Sequence, residues 1–262
     1  MRDFELINEN LRHALGAFVR VRPHGQLMSL PGLSLVYAGV PYNLFNTALI
    51  TSPLPSAEGG FFDQMDRAAD FFARQNAPWS VWFCDDMLAV DERRKARVAL
   101  ATRGLRLTME APGMISGSLI APSRRLPAKL HFEQVGDSRT REHFSQVMSS
   151  AFHVPHEMSR DVYCGEALWT GGMKGWIGYL NDEPVTTTAV MVNDDSIGLY
   201  AVATQPRHQR QGYAEAIMRH AIASECAGGG PSRSILQSSA VGYPLYVRMG
   251  YRAVTRFFVY VK

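Results

Sequence analysis

From Ile197 to Ser224 an apolar run, a polar loop and an amphipathic run follow one another without interruption. The apolar run, Ile197 to Ala203, reads as a strand, and Glu215 to Ser224 reads as a helix. Between them stands Val202-Ala203-Thr204-Gln205-Pro206-Arg207-His208-Gln209-Arg210-Gln211-Gly212-Tyr213-Ala214. The first turn of a helix has backbone N–H groups without intrahelical partners, and the helix dipole adds partial positive charge there. Gly212 lets a ligand approach the backbone and Ala214 keeps the first turn uncrowded, while Gln209 and Arg210 offer side-chain donors. A strand–loop–helix junction of this kind suits a pyrophosphate, and it requires an α/β frame to hold it.

The 262 residues suffice for one large domain or two of ordinary size, with ample apolar material for a core. A net charge of +3 spread along the chain argues against nucleic acid as the main partner. Cys84, Cys164 and Cys226 lie far apart, which indicates neither a disulfide framework nor a zinc site, and no metal is expected. The start, Met1-Arg2-Asp3-Phe4-Glu5, carries acids where a secretory signal would be apolar. No run approaches the ~20 apolar residues of a membrane span, so the expectation is a soluble, cytoplasmic protein without a membrane partner.

Read in order, the spacing predicts a helix over Phe4 to Val19, a strand at Gly32 to Ala38 and a second strand from Asn43 to Thr51. Pro53-Leu54-Pro55-Ser56 and Gly59-Gly60 break the chain before a helix marked by Phe62, Met65, Ala69 and Phe72. Trp79 to Phe83 reads as a strand, and Asp91 to Arg103 as a helix closed by Gly104 in the left-handed region. Leu105, Leu107 and Met109 alternate, and Met114 to Ile120 reads as a further strand. Ala121 to Pro127 looks like a linker. After it come a strand at Leu130 to Val135, a helix at Arg139 to Phe152 and an irregular segment from His153 to Trp169. Three strands then form an antiparallel meander: Lys174 to Leu180, Pro184 to Val192 and Ile197 to Ala203. A strand at Ser234 to Ser238, a helix at Gly242 to Met249 and a closing strand at Thr255 to Val261 complete the chain. Ala101-Thr102-Arg103-Gly104-Leu105-Arg106 and Val247-Arg248-Met249-Gly250-Tyr251-Arg252 echo one another, and the order of elements repeats around them. Two similar α/β halves follow: residues 1–120, a linker at 121–128, and residues 129–262.

Gln209-Arg210-Gln211-Gly212-Tyr213-Ala214 matches the signature Gln/Arg-x-x-Gly-x-Gly/Ala, with the strand end Val202-Ala203-Thr204 just upstream. Leu245-Tyr246-Val247-Arg248-Met249-Gly250-Tyr251 matches a late Leu-Tyr-x-x-x-Gly-Phe/Tyr segment, at the right separation. From about Leu130 to Lys262 the chain therefore resembles the GCN5-related N-acetyltransferase (GNAT) superfamily. The resemblance implies an α/β (α+β) fold of two GNAT-like halves, each a mixed, mostly antiparallel sheet flanked by helices. It implies an acetyl-CoA site in the second half: the backbone of Val202, Ala203 and Thr204 along the pantetheine arm, and the amides of Gln209, Arg210, Gln211, Gly212, Tyr213 and Ala214 around the pyrophosphate. Tyr246 resembles the family's general acid at the CoA sulfur. Ser239 stands where many members carry Asn, and it can still donate one hydrogen bond to the pantetheine or the sulfur.

The expected reaction is direct transfer of an acetyl group to an amine of a small molecule or peptide, and the acceptor is not identified. No general base stands out. Tyr200 is a poor base at an ordinary pKa, and His153, His156, Asp161 and Glu166 lie in the irregular segment that covers the acceptor pocket in this superfamily. The missing carboxylate keeps open a binding role, an acyl-CoA sensor or scaffold without turnover. The intact Gln209–Ala214 loop speaks against a charged-RNA donor. Residues 1–120 lack the signature loop, so that half is expected to be degenerate, and Pro41 to Asn46 and Trp79 to Phe83 are its candidates for cleft-lining aromatics.

Overall fold

The computed structural model describes residues 1–54 and 60–262, so Pro55, Ser56 and Gly59 of the expected chain break lie outside the described residues. In chain order the elements are α1 (Asp3–Arg20), β1 (Gln26–Leu30), β2 (Leu33–Tyr37), β3 (Asn46–Ile50), α2 (Phe61–Gln75), β4 (Ser80–Cys84), α3 (Val90–Thr102) and β5 (Arg106–Ser116). There follow β6 (Leu130–Gln134), α4 (Ser138–Phe152), α5 (His156–Tyr163), α6 (Glu166–Thr170), β7 (Met173–Leu180), β8 (Glu183–Val192) and β9 (Ile197–Thr204). The chain closes with α7 (Tyr213–Ala227), β10 (Ser234–Gln237), α8 (Tyr243–Met249) and β11 (Arg252–Val261). Two compact units result. One comprises 1–114, 237–243 and 253–262, and the other 115–236 and 244–252.

In the first unit the strands run β1-β2-β3-β4-β11-β5. β1, β2 and β3 form an antiparallel meander, β4 lies parallel to β3, and β11 pairs antiparallel with β4 from Phe257↔Cys84 to Val261↔Ser80. β11, expected with the second half, thus completes the first unit. Its Phe258 ring stacks on Phe83 at 5.5 Å, where it buries more apolar area than it would as a free edge. Trp79 and Phe83 are core residues rather than cleft-lining ones: Trp79 stacks on Phe72 at 5.1 Å. Phe45 likewise packs on Phe18, 4.6 Å between ring centroids.

Two local expectations need correction, and one strand is added to those expected. The two strands expected between Leu105 and Ile120 are one, β5, which ends at Ser116. The Pro112-Gly113 step does not interrupt it, because the Pro112 carbonyl accepts the Ser238 N–H at 2.8 Å and Gly113 leaves room for Thr255 and Phe257. Residues 43–45 form a 3-10 turn, so the strand begins only at Asn46. β1 has no alternation to announce it. It is a hairpin partner of β2 across Pro31-Gly32, with Gly32 at φ +76°.

The second unit runs β10-β9-β8-β7-β6, with β6 to β9 antiparallel and β10 parallel to β9. α4 and α7 pack on β8 and β9, and the irregular segment resolves into α5 and α6. The sequence echo becomes a repeated helix stop. Leu105 N–H reaches back to Leu100 O at 2.9 Å over Gly104 (φ +78°), and Tyr251 N–H to Tyr246 O at 3.0 Å over Gly250 (φ +100°). In each, a left-handed glycine lets the chain turn directly from helix into strand.

Candidate functional site

In the second unit β9 departs from regular pairing with β8, as β7 does at Gly178/Tyr179. Its register with β8 is continuous from Ile197↔Val192 to Tyr200↔Ala189 and resumes at Ala203↔Thr187, so Ala201 and Val202 together face Thr188. This is a bulge, and Ala201 sits in it at φ +49°. A non-glycine residue there costs roughly 1 kcal/mol, which the surrounding structure must offset. Thr186, Thr187 and Thr188 donate their hydroxyls to the carbonyls of Ala203 (2.7 Å), Ala201 (3.1 Å) and Tyr200 (3.4 Å).

On its other edge β9 parts from β10. The parallel pairing comprises only Ser234↔Ile197 and Ile235↔Gly198, which leaves Leu199 to Thr204 outside it. Gln205 N–H donates to Val185 O at 2.9 Å, toward β8. Because backbone amides alternate along a strand, those of Thr204 and Val202 point to the opposite, splayed edge. The backbone expected to hold the pantetheine arm is therefore the part of β9 that pairs with β8 on one edge and is left by β10 on the other.

This edge runs straight into the loop. Pro206 to His208 makes a 3-10 turn tied to the β7–β8 turn, because Arg207 and His208 both bond the Glu183 carboxylate, His208 at 3.1 Å. Burial pushes that carboxyl up, but the hydrogen bond with His208 and the Arg207 guanidinium outweigh it and hold it below the usual range. The two glutamines shape the loop from within: Gln209 Nε2 donates to Thr204 O and Gln211 Nε2 to Arg207 O, each at 3.4 Å. Arg210, at φ +62°, turns the chain toward Gly212, the N-cap of α7 at φ +88°, where no side chain caps the helix. Ala214 sits in the first turn beside Glu215, whose carboxylate is held by Arg219 at 2.8 Å. Tyr213 anchors the start of the helix: its ring packs with Leu130, Val185 and Ala216, and its hydroxyl donates to Gln211 at 3.1 Å. First-turn amides without a cap, next to a left-handed glycine, make a concave group of donors.

One residue at this loop comes from the expected linker. A methyl group on Gly212 would lie 3.5 Å from a guanidinium nitrogen of Arg124, so this arginine stands over the helix start. Neither Arg124 nor Arg210 forms an ion pair with a described residue, and both side chains are exposed. The pair of arginines at 124 and 125 was the available signal. The threonine run at 186–188 is visible in the residues, but its link to the bulge depends on the register with β9.

Tyr246 lies on α8, almost buried at 7% exposure, with its ring edge-on to Tyr251 at 6.1 Å. The Tyr251 hydroxyl in turn bonds Ser234 Oγ at 2.7 Å, at the start of β10. Burial pushes the Tyr246 hydroxyl up to about 12 and Tyr200 far above the tyrosine range, so both stay protonated at neutral pH and Tyr200 cannot act as a base. Ser239 belongs to the first unit. Its Oγ accepts the Gly242 N–H at 3.1 Å and its carbonyl the Tyr243 N–H at 3.0 Å, fixing the entry to α8.

The candidate bases are not brought together. His153 is the left-handed cap of α4, and His156 and Arg160 both bond Glu142, at 3.1 and 3.2 Å. Asp161 and Glu166 are exposed, and Glu166 stands 3.9 Å from Arg141. Among the described residues no group of three or more His, Cys, Asp or Glu is placed to hold a metal ion, and no helix is long and apolar enough to cross a membrane.

Residues 172–253 match the acetyltransferase (GNAT) domain family. A GCN5-related N-acetyltransferase from Kribbella flavida has a similar fold over 96% of this chain and 94% of its own, with a TM-score of 0.72 and 16% identity. A functionally unknown conserved protein from Staphylococcus epidermidis ATCC 12228 is similar over 94% of this chain and 96% of its own (TM-score 0.65, 12% identity). A tandem GNAT protein from the clavulanic acid biosynthesis pathway is similar over 92% and 84% (TM-score 0.57, 10% identity). No curated protein matches in sequence. At such identities the solved structures establish the fold, and the domain match covers the bulged strand, the glycine loop and Tyr246 alike. Residues 172–253 thus carry the match to the GNAT domain family, and the chain as a whole shares its fold with solved GCN5-related N-acetyltransferases.

Proposed function

We propose that the protein is an acetyl-CoA-dependent N-acetyltransferase, acting on an amine of a small molecule or peptide by direct transfer. We count it among tandem members, its first unit without a CoA loop, in the cytoplasm. The observation that carries the reading is the edge of β9 that β10 leaves after Gly198: it is bulged at Ala201 and continuous with uncapped amides at Gly212. Acetyl-CoA would supply the activated acyl carbonyl. Thr204 and Val202 would pair with its pantetheine arm, and the amides of Gly212, Tyr213 and Ala214 would hold the pyrophosphate, with Arg210 and Arg124 adding charge.

The Val202 N–H would face the thioester oxygen and stabilise the negative charge that grows there during attack by the amine. Tyr246 would donate a hydrogen bond to the departing sulfur. Burial raises the tyrosine hydroxyl above the range of an ordinary thiol, so complete proton transfer to the thiolate is uphill. Tyr246 therefore works by hydrogen bonding as the C–S bond breaks, and solvent supplies the final proton. With β9 free of carboxylates and Tyr200 unable to ionise, the amine would lose its proton to water, which is also the feature that favours an acyl-CoA sensor.

Titration calorimetry with acetyl-CoA, followed by thiol release against a panel of primary amines, tests the assignment. Binding with turnover supports the enzyme. Binding without turnover on any amine leaves the sensor, and absence of binding removes both.

A further inference from the structure

β8 carries three threonines in succession, and all three are fully buried. A buried hydroxyl needs a partner, and each of these finds a carbonyl of β9. Successive side chains leave a strand on alternate faces, so Thr187 reaches across from one face and Thr186 and Thr188 from the other. In a regular ladder, adjacent carbonyls of β9 would point to opposite edges. Here Tyr200 and Ala201 are adjacent, and both carbonyls are bonded by hydroxyls of β8. The left-handed turn at Ala201 makes this possible, and the hydroxyls replace the ladder bonds that the bulge removes. Thr186 secures Ala203 on the far side, and Thr204 Oγ1, 3.0 Å from Thr186 Oγ1, donates to it in turn. From 200 to 203 only Val202 is not held by a β8 hydroxyl.

We propose that the hydroxyls of Thr187 and Thr188, backed by Thr186, are positioning groups that hold the bulge and thereby aim the Val202 N–H at the acyl carbonyl. The proposal rests on the acyl-CoA reading above and adds to it the device that orients the donor. Thr187 is the centre of the clamp. It has one proton to give, and the Ala201 carbonyl is a stronger acceptor than the Met148 sulfur 3.6 Å away.

Thr187→Val keeps the shape and removes the hydroxyl, whereas Thr187→Ser keeps the hydroxyl. Two quantities are read: the infrared carbonyl stretch of ¹³C-carbonyl acetyl-CoA bound to each protein, and calorimetric affinities for acetyl-CoA and for CoA, which lacks the carbonyl. Wild type and Thr187→Ser are expected to lower the stretch relative to free acetyl-CoA. Thr187→Val is expected to lose most of that lowering and about 5-fold in acetyl-CoA affinity relative to CoA, the size of one ordinary hydrogen bond. An unchanged stretch in Thr187→Val overturns the proposal. So does a parallel loss of affinity for both ligands with the stretch preserved, which is what a purely structural role predicts. Should Thr187→Val fail to fold, Thr188→Val carries the same measurement through the Tyr200 carbonyl: a lost lowering supports the clamp and an unchanged stretch overturns it. Wild type that binds neither ligand defeats the acyl-CoA reading and the proposal with it, while wild type that binds with an insensitive stretch defeats only the proposal.

Discussion

Each unit contains an antiparallel meander whose last strand runs parallel to the next one across a helix: β3, α2 and β4 in the first, β9, α7 and β10 in the second. The two pairs are built to opposite ends. β3 is wholly buried, keeps an unbroken register with β2, and pairs with β4 from Thr47↔Ser80 to Leu49↔Trp82. Side chains seal it further: Thr47 and Ser80 hydroxyls meet at 3.0 Å, and Asn46 bonds Ala38 N–H and the carbonyls of Val40 and Pro78. β9 is bulged and leaves β10 after Gly198. The candidate binding edge is thus a matter of pairing withheld, and the first unit spends the same backbone groups on its own stability.

Four substitutions put this contrast to the test. The largest effect belongs to Tyr246→Phe, which should lower turnover about 100-fold or more while calorimetric affinity for acetyl-CoA stays within a few-fold. Equal activity would mean that the open edge works without a donor at the sulfur. Asn46→Ala strips two buried groups and the part-buried Pro78 carbonyl of their partner and should cost the first unit about 2–4 kcal/mol in urea denaturation, with CoA affinity of the folded protein unchanged. Gly212→Val forces a β-branched residue to φ +88° and puts a side chain between the amides and the phosphates. It should weaken CoA binding about 30- to 100-fold, and unchanged affinity would relocate the pyrophosphate. Arg124→Ala removes an exposed charge, so a loss of only about 3- to 10-fold is expected, shrinking further at high salt.

The smallest effect is an absence. Burial raises the folded Tyr246 hydroxyl to about 12, so the stability gained from its neutral form is complete below pH 10 and is lost as pH rises from 10 toward 12. Rate profiles should accordingly show no limb from this tyrosine below about pH 11. A limb near pH 9 would place the hydroxyl in a wetter or more cationic setting.

What could be read from the residues was local. Gly104 and Gly250 announce their helix stops, because the left-handed turn is a property of the glycine itself. The loop from Gln209 to Ala214 announces itself for the same reason. The bulge could not be read in this way. It depends on Thr186 to Thr188 lying opposite Tyr200 to Ala203, a register fixed by the sheet rather than by either strand. Arg124 was hidden in a stretch with little to bury, and its value lies in Gly212 standing next to it. β5 passed for two strands because Pro112 is a breaker by rule, whereas here its carbonyl is used by Ser238.

The place of β11 has a consequence in time. β4 is made early, and the strand that covers one of its edges is made only after the second unit. At about 5–20 residues per second, the passage from Cys84 to Val261 lasts on the order of ten seconds or more. Throughout it the apolar strand Ser80–Cys84 lacks its final neighbour and is open to pairing with other chains. The first unit therefore cannot finish folding while the second is still being made, and no cut of the chain into two contiguous pieces would yield two whole units.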